Sequence, residues 1–145
     1  MFSYCDEITV KTSPIRIFAL YKDVSNWWLW DPEVKNSKLE GDFEVGAYGR
    51  LKPRKGPDTE IRIVAIEENR SFTVQSSLPL CVLTFEHELW PSGDRTRIIH
   101  RVHFDGPLSF LFRKLLGRQF RRGIPAALRG LKRMAETESH ESAAA

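Results

Sequence analysis

Val82-Leu83-Thr84-Phe85-Glu86-His87-Glu88-Leu89-Trp90, then Pro91-Ser92-Gly93-Asp94, then Arg95-Thr96-Arg97-Ile98-Ile99-His100-Arg101-Val102-His103-Phe104 is the stretch that decides the fold. In its first run Leu83, Phe85, His87 and Leu89 share one side, with Thr84, Glu86 and Glu88 on the other. In its second run Ile98, His100, Val102 and Phe104 oppose Arg97, Ile99, Arg101 and His103. Alternation with a period of two predicts two half-buried antiparallel strands. Residues 91–94 make the turn, and Asp105-Gly106-Pro107 ends the sheet. The apolar face of such a sheet needs a cover, and the helical segment that follows is placed to supply it. His87 and His100 both fall on the face that is to be dry.

The chain has 145 residues, 41% of them hydrophobic and 28% charged, which is the balance of one soluble domain with a core of its own. No apolar run reaches membrane-spanning length, and Met1–Asp6 does not read as a signal peptide, so the expected location is cytoplasmic. Cys5 and Cys81 are then free thiols. The net charge of +3 is mild, but Arg113, Lys114, Arg118, Arg121, Arg122, Arg129, Lys132 and Arg133 crowd one segment. Such a cluster is either a solvated helix face or a weak contact for anionic membranes, the latter through Arg113, Lys114, Arg118, Arg121 and Arg122. No aromatic residues interleave with these cations, so nucleic acid is not an expected partner.

Along the chain, Phe2–Lys11 alternates as a strand, with Asp6 on the side of Phe2, Tyr4, Ile8 and Val10. Thr12-Ser13-Pro14 opens a helix that runs to about Asn26, with a hydroxyl N-cap and proline at the first helical position. Trp27-Trp28-Leu29-Trp30-Asp31-Pro32 is a loop, and Pro32–Val34 opens a short second helix. Strands follow at Phe43–Leu51, Thr59–Ile66 and Ser71–Ser77, ahead of the two already described. One domain is expected over residues 1–135, with 136–145 as an unstructured polar tail.

The terminal segment has a phase problem. At about 100° per residue, Leu108, Leu111, Phe112 and Leu115 share one face. Phe120, Ile124, Ala127, Leu128, Leu131 and Met134 share another, rotated by roughly a third of a turn. A straight helix does not bury both stripes on one sheet, which predicts a break near Gly117. The second half, from about Arg118 to Glu136, is then the sheet-packing helix. The first stripe is left as a packing surface for the Trp loop, a cavity lid, a dimer contact or a lipid-facing patch.

The order of elements resembles the START-related helix-grip superfamily, also called SRPBCC, and within it the polyketide cyclase/dehydrase and lipid-transport branch. The residues that carry the likeness are Ser13-Pro14 into Ile15–Asp23, the run Val24–Pro32, Phe43-Glu44-Val45-Gly46, Phe85-Glu86-His87, Thr96–Val102 and Gly106-Pro107-Leu108-Ser109. The resemblance implies an α+β helix-grip fold, a curved antiparallel sheet wrapped around a long C-terminal helix with an apolar cavity between them. Members bind lipids, aromatic polyketides or hormones there, and some do chemistry.

Motifs for phosphate loops, zinc sites and nucleophile elbows are absent, and no cofactor or metal is expected. His87 and His100 are the candidate catalytic residues, since a histidine in an apolar pocket can move a proton near neutral pH. The plainer reading of each is a core histidine bonded to a carbonyl. The candidate ligand-binding residues are Trp28, Trp30, Phe85, His87, His100, Val102, Phe120, Ile124 and Leu128. The leading function is a carrier for a small hydrophobic ligand. A cyclase- or dehydratase-like enzyme using a cavity histidine is the alternative, and a membrane- or partner-binding module using the basic helix is a third reading.

Overall fold

The computed structural model describes residues 2–144, with side chains described through residue 137. Seven strands form one antiparallel sheet: β1 (Phe2–Val10), β2 (Val34–Glu40), β3 (Tyr48–Pro53), β4 (Thr59–Glu67), β5 (Ser71–Leu78), β6 (Cys81–Ser92) and β7 (Arg95–Asp105). Their spatial order is β1-β7-β6-β5-β4-β3-β2. Helix α1 (Pro14–Lys22) and a 3-10 turn (Val24–Leu29) connect β1 to β2, and α2 (Ser109–Ala144) closes the fold. This is the α+β helix-grip architecture.

The β6–β7 hairpin follows its sequence pattern. Leu83 and Leu89 on β6, and Ile98, His100, Val102 and Phe104 on β7, are buried at alternate positions. The strands run further than expected, to Ser92 opposite Arg95, so only Gly93 and Asp94 turn the chain. Gly93 sits at φ +64°, the left-handed conformation that a two-residue hairpin demands. His87 and His100 are direct cross-strand partners.

Other boundaries differ from the sequence reading. Helix α1 stops at Lys22, and Val24–Leu29 tightens into the 3-10 turn instead of prolonging it. Proline stands at its first position as expected, but the Ser13 side chain makes no capping bond. The short helix expected from Pro32 is strand β2. Its alternation was hidden by a bulge between Val34 and Asn36, which puts Val34 and Ser37 on the buried side three residues apart. The strand expected at Phe43–Leu51 begins only at Tyr48, because residues 43–47 form turns that lean on β4 through Gly46 N–H to the Ile63 carbonyl.

Helix α2 is continuous through Gly117, so the expected break is absent. The phase problem is solved by Leu116. Phe112, Leu116, Phe120 and Ile124 step by four residues into Leu128, a row inclined to the helix axis that suits a helix laid across a twisted sheet. Phe110, Leu111 and Leu115 are left exposed. Glu136, expected to begin an unstructured tail, is helical and accepts hydrogen bonds from the Lys11 N–H and the Lys132 ammonium. The helix backbone runs on to Ala144, while the side chains of the rest of the expected tail lie outside the described residues.

Helix α2 packs chiefly on β1 and β7, with a smaller contact to β6 and to α1. Its seat against the Trp segment is very close. A Cβ on Gly130 would overlap the Trp30 carbonyl oxygen and lie 2.9 Å from its carbon. Gly130→Ala should therefore destabilise the fold by about 1–3 kcal/mol, as overpacking does, although alanine favours a helix over glycine by about 1 kcal/mol. Urea unfolding measures the difference, and a stabilised variant would show that the helix has room to move.

Candidate functional site

Because α2 lies toward β1 and β7, the β3–β5 side of the concave face is not covered by it. A cavity of about 360 Å³ opens there. Its walls are apolar: Ile61 from β4, Val74 from β5, Leu83 and Phe85 from β6, and Leu116 and Phe120 from α2. Trp27 and Trp30 of the 3-10 segment close one end, and the β3–β4 loop at Lys55–Asp58 borders it. An adjoining lobe of about 110 Å³ shares Trp30, Asp31, Phe85, His87 and Phe120 with the main cavity and adds His100 and Ile124.

The structure thus brings together Trp30, Phe85, His87, His100, Phe120 and Ile124 of the residues expected to bind ligand. Three others fall elsewhere. Trp28 is 48% exposed on the outward side of the 3-10 turn and is not part of the cavity wall. Val102 and Leu128 are fully packed core residues, each sealed behind neighbouring side chains. The facing direction was right for both, but inward-facing residues where α2 touches the sheet meet the helix and not the void.

His87 and His100 sit in an aromatic cluster. The His87 ring stacks on Phe72 at 4.0 Å and 6° and lies 4.7 Å from the His100 ring. Nδ1 of His87 is 3.1 Å from the Phe72 carbonyl, which can only accept, so Nδ1 carries the proton. His100 Nε2 is 2.8 Å from the Tyr21 hydroxyl, and Tyr21 is completely buried. Burial pushes the His87 imidazole down to about 4. Burial, and then the neighbouring His87, push His100 well below its ordinary range. Burial likewise holds the Tyr21 hydroxyl protonated. All three are uncharged at neutral pH.

Asp31 and Glu33 also line both spaces, and sequence reasoning missed them. Asp31 Oδ1 accepts the Glu33 N–H at 3.0 Å, an Asx turn across Pro32. Read in sequence, an aspartate before proline is an ordinary turn residue. Nothing periodic marks it as facing inward. Burial raises the Asp31 carboxyl from 3.8 to about 6, with the Glu33 charge adding to the effect and the Glu33 N–H opposing it. A group titrating near 6 is better matched to proton transfer at neutral pH than an imidazole near 4. Among the described residues no three His, Cys, Asp or Glu side chains gather as a metal site.

The basic residues in the first half of α2 divide into two groups. Arg113 stacks over the Phe2 ring at 4.1 Å, and Arg121 reaches the Tyr4 hydroxyl at 3.4 Å. Lys114, Arg118 and Arg122 have no ion-pair partner among the described residues. They flank the exposed Phe110, Leu111 and Leu115, and Leu80 is beside them through the Leu108 N–H bond to its carbonyl. Among the described residues no helix is long and apolar enough to cross a membrane.

The two shifted groups act on stability in opposite senses. The Asp31 carboxyl, raised in the fold, contributes stability that is complete below about pH 4 and lost as pH rises through 6. The His87 imidazole, lowered from 6.5 to about 4, contributes stability that is complete above 6.5 and lost as pH falls through 4. Asp31→Asn keeps the acceptor for the Glu33 N–H and removes the charge. It should leave stability near pH 4 unchanged and raise it at neutral pH by about 1–3 kcal/mol. Urea unfolding at the two pH values reads this out. An effect equal at both would show that burial does not hold the carboxyl up.

The family profile described as "Polyketide cyclase / dehydrase and lipid transport" matches residues 1–136. Among solved structures, the protein TTHA0849 from Thermus thermophilus superposes with a TM-score of 0.76 at 17% identity, covering 95% of this chain and 99% of the other. The ZhuI aromatase/cyclase from Streptomyces sp. R1128 gives a TM-score of 0.79 at 14% identity, with 93% of each chain covered. Ara h 8.0201 gives 0.73 at 12% identity, covering 94% of this chain and 98% of the other. At such identities these likenesses speak for the fold. No curated protein matches by sequence. On the profile match over nearly its whole length, the chain belongs to the polyketide cyclase/dehydrase and lipid-transport family, within the helix-grip (SRPBCC) superfamily.

Proposed function

We propose that this protein binds or carries a small hydrophobic ligand in the cavity between α2 and the sheet. The observation that carries the reading is a mainly apolar space of about 360 Å³, within the size range of small-molecule sites, with polar side chains such as Asp31, Glu33, Lys55, Ser76 and His87 on its border. Leaving such a space unfilled costs packing energy that a protein without a ligand has no reason to forgo. The aromatic walls Trp30, Phe85 and Phe120 favour a flat ligand, and a structural neighbour is an aromatase/cyclase by name. The exposed Phe110, Leu111 and Leu115, with Lys114, Arg118 and Arg122 beside them, support weak contact with anionic membranes as a route of exchange.

A hydrophobic fluorescent probe should bind the protein and be displaced by competing apolar compounds. Ile61→Phe or Val74→Phe, which place extra atoms in the cavity wall, should weaken binding by about tenfold or more, as lost apolar burial implies. A wild-type protein that binds no probe, and from which native mass spectrometry recovers no co-purified molecule, would defeat the carrier reading.

A second reading, proton-transfer catalysis on the bound ligand, is favoured by the Asp31 carboxyl titrating at about 6 in the cavity that also holds His87. Turnover would then follow a titration near pH 6, and Asp31→Asn or His87→Gln would each reduce it by about 10²- to 10⁴-fold. A co-purified ligand recovered chemically unchanged after long incubation at that pH speaks against it.

A further inference from the structure

We infer that the cavity selects neutral, flat ligands bearing a hydroxyl group, and that this hydroxyl donates to Nε2 of His87. The inference rests on the ligand-binding reading above and specifies its chemistry. Its foundation is the His87 ring. The Phe72 carbonyl fixes the proton on Nδ1, so a neutral ring presents Nε2 as a bare acceptor. Nε2 has no hydrogen-bond partner among the described residues, and it is not one of the sealed, unpartnered polar atoms of the interior. His87 borders both the main cavity and its adjoining lobe. An acceptor held in one tautomer by the Phe72 carbonyl, oriented by stacking on the Phe72 ring and open to an apolar space, is completed by a ligand that donates.

The neighbours narrow the choice. His100 borders only the smaller lobe, and its Nε2 is engaged with Tyr21. Asp31 and Glu33 border the same space, and Arg101, at the edge of the lobe, is held by Glu86 at 3.7 Å and Glu88 at 3.2 Å. Beside His87 a ligand carboxylate would thus meet two carboxyl groups and a lone pair, the lysine that lines the cavity, Lys55, standing on the β3–β4 loop. A ligand ammonium would have to shed its hydration among Ile61, Val74, Leu83 and Phe85. A hydroxyl on an aromatic frame avoids both costs. The low basicity that burial imposes on His87 keeps it an acceptor throughout the neutral range.

The test uses three probes on one bicyclic frame: naphthol, its methyl ether and the corresponding naphthoate, titrated into the wild-type protein at neutral pH. Naphthol should bind about tenfold tighter than the ether, the effect of one well-placed hydrogen bond, and naphthoate should bind weakest. Nitrogen NMR of the wild-type protein should show the Nε2 resonance of His87 shifting with naphthol and not with the ether. In His87→Phe the affinity for naphthol should fall to that of the ether. Equal binding of naphthol and ether, tightest binding of naphthoate, or a naphthol preference that survives in His87→Phe would overturn the inference. If the ether binds and naphthol binds no tighter, the hydroxyl site fails while the carrier reading stands. If neither binds, the hydroxyl site fails, and the fluorescent probe with the co-purification measurement decides the carrier reading separately. The wild-type comparison decides even if His87→Phe does not fold.

Discussion

One α-helix is too narrow to cover this sheet. A helix with its side chains is about 10–12 Å across, while seven strands spaced about 4.8 Å apart span roughly 29 Å. The sheet curls, but α2 packs on β1, β7 and part of β6. The remaining concave surface on β3, β4 and β5 carries inward apolar side chains such as Ile61, Ile63, Phe72 and Val74, all buried. Something other than α2 must shield them. Helix α1 and the Trp27–Trp30 segment shield one end, where Phe18, Tyr21, Trp30 and Phe72 interlock edge to face and Trp27 lies tilted against Phe72. At the other end Phe112, Leu116 and Phe120 meet Leu83, Val102 and Phe104. The cavity is the space between these two packed ends.

That geometry explains why the polar groups of the site are where they are. The Trp segment reaches α2 through the Gly130 contact, and the Asx turn at Asp31 follows at once. A Cβ on Gly123 would come within 2.8 Å of the Glu33 side chain. Glycine on α2 thus admits the chain segment that carries both carboxyls. The histidines arrive from the opposite direction, as facing residues in the β6–β7 ladder. The site is assembled from a strand pair with a regular period and a loop with none, and its electrostatics reflect the meeting. Burial pushes the loop carboxyl up and the strand imidazoles down, so each drifts toward its neutral form.

The same division sets what could be read from sequence. The β6–β7 hairpin was legible because both strands alternate without interruption, and the faces of His87 and His100 came with it. Strand β2 was not legible, because its bulge spaces Val34 and Ser37 by three and its composition is polar. The helix break near Gly117 was inferred from two stripes, but Leu116 had been left out of both. Including it turns them into one inclined row, with Leu111 and Leu115 simply exposed. Asp31 and Glu33 were invisible for a different reason. Their inward placement depends on which loop α2 contacts, a tertiary fact that no local pattern encodes. Val102 and Leu128 show the converse limit. Sequence gives the face of an element but not whether another element or a void lies opposite.

The exposed Phe110, Leu111 and Leu115 follow from the same constraint. Near the start of α2 Leu108 is bonded to the Leu80 turn, and the Arg113 and Arg121 guanidinium groups lie over the rings of β1. On that side no strand remains to cover the outer stripe of the helix. Burying it would require rotating α2, and rotation would lift Leu116 and Phe120 off Leu83 and Phe104. It would also drive Gly123 and Gly130 away from Glu33 and Trp30. The sequence accepts three exposed apolar side chains in order to keep one continuous inward row, because that row forms both the second core cluster and a wall of the cavity.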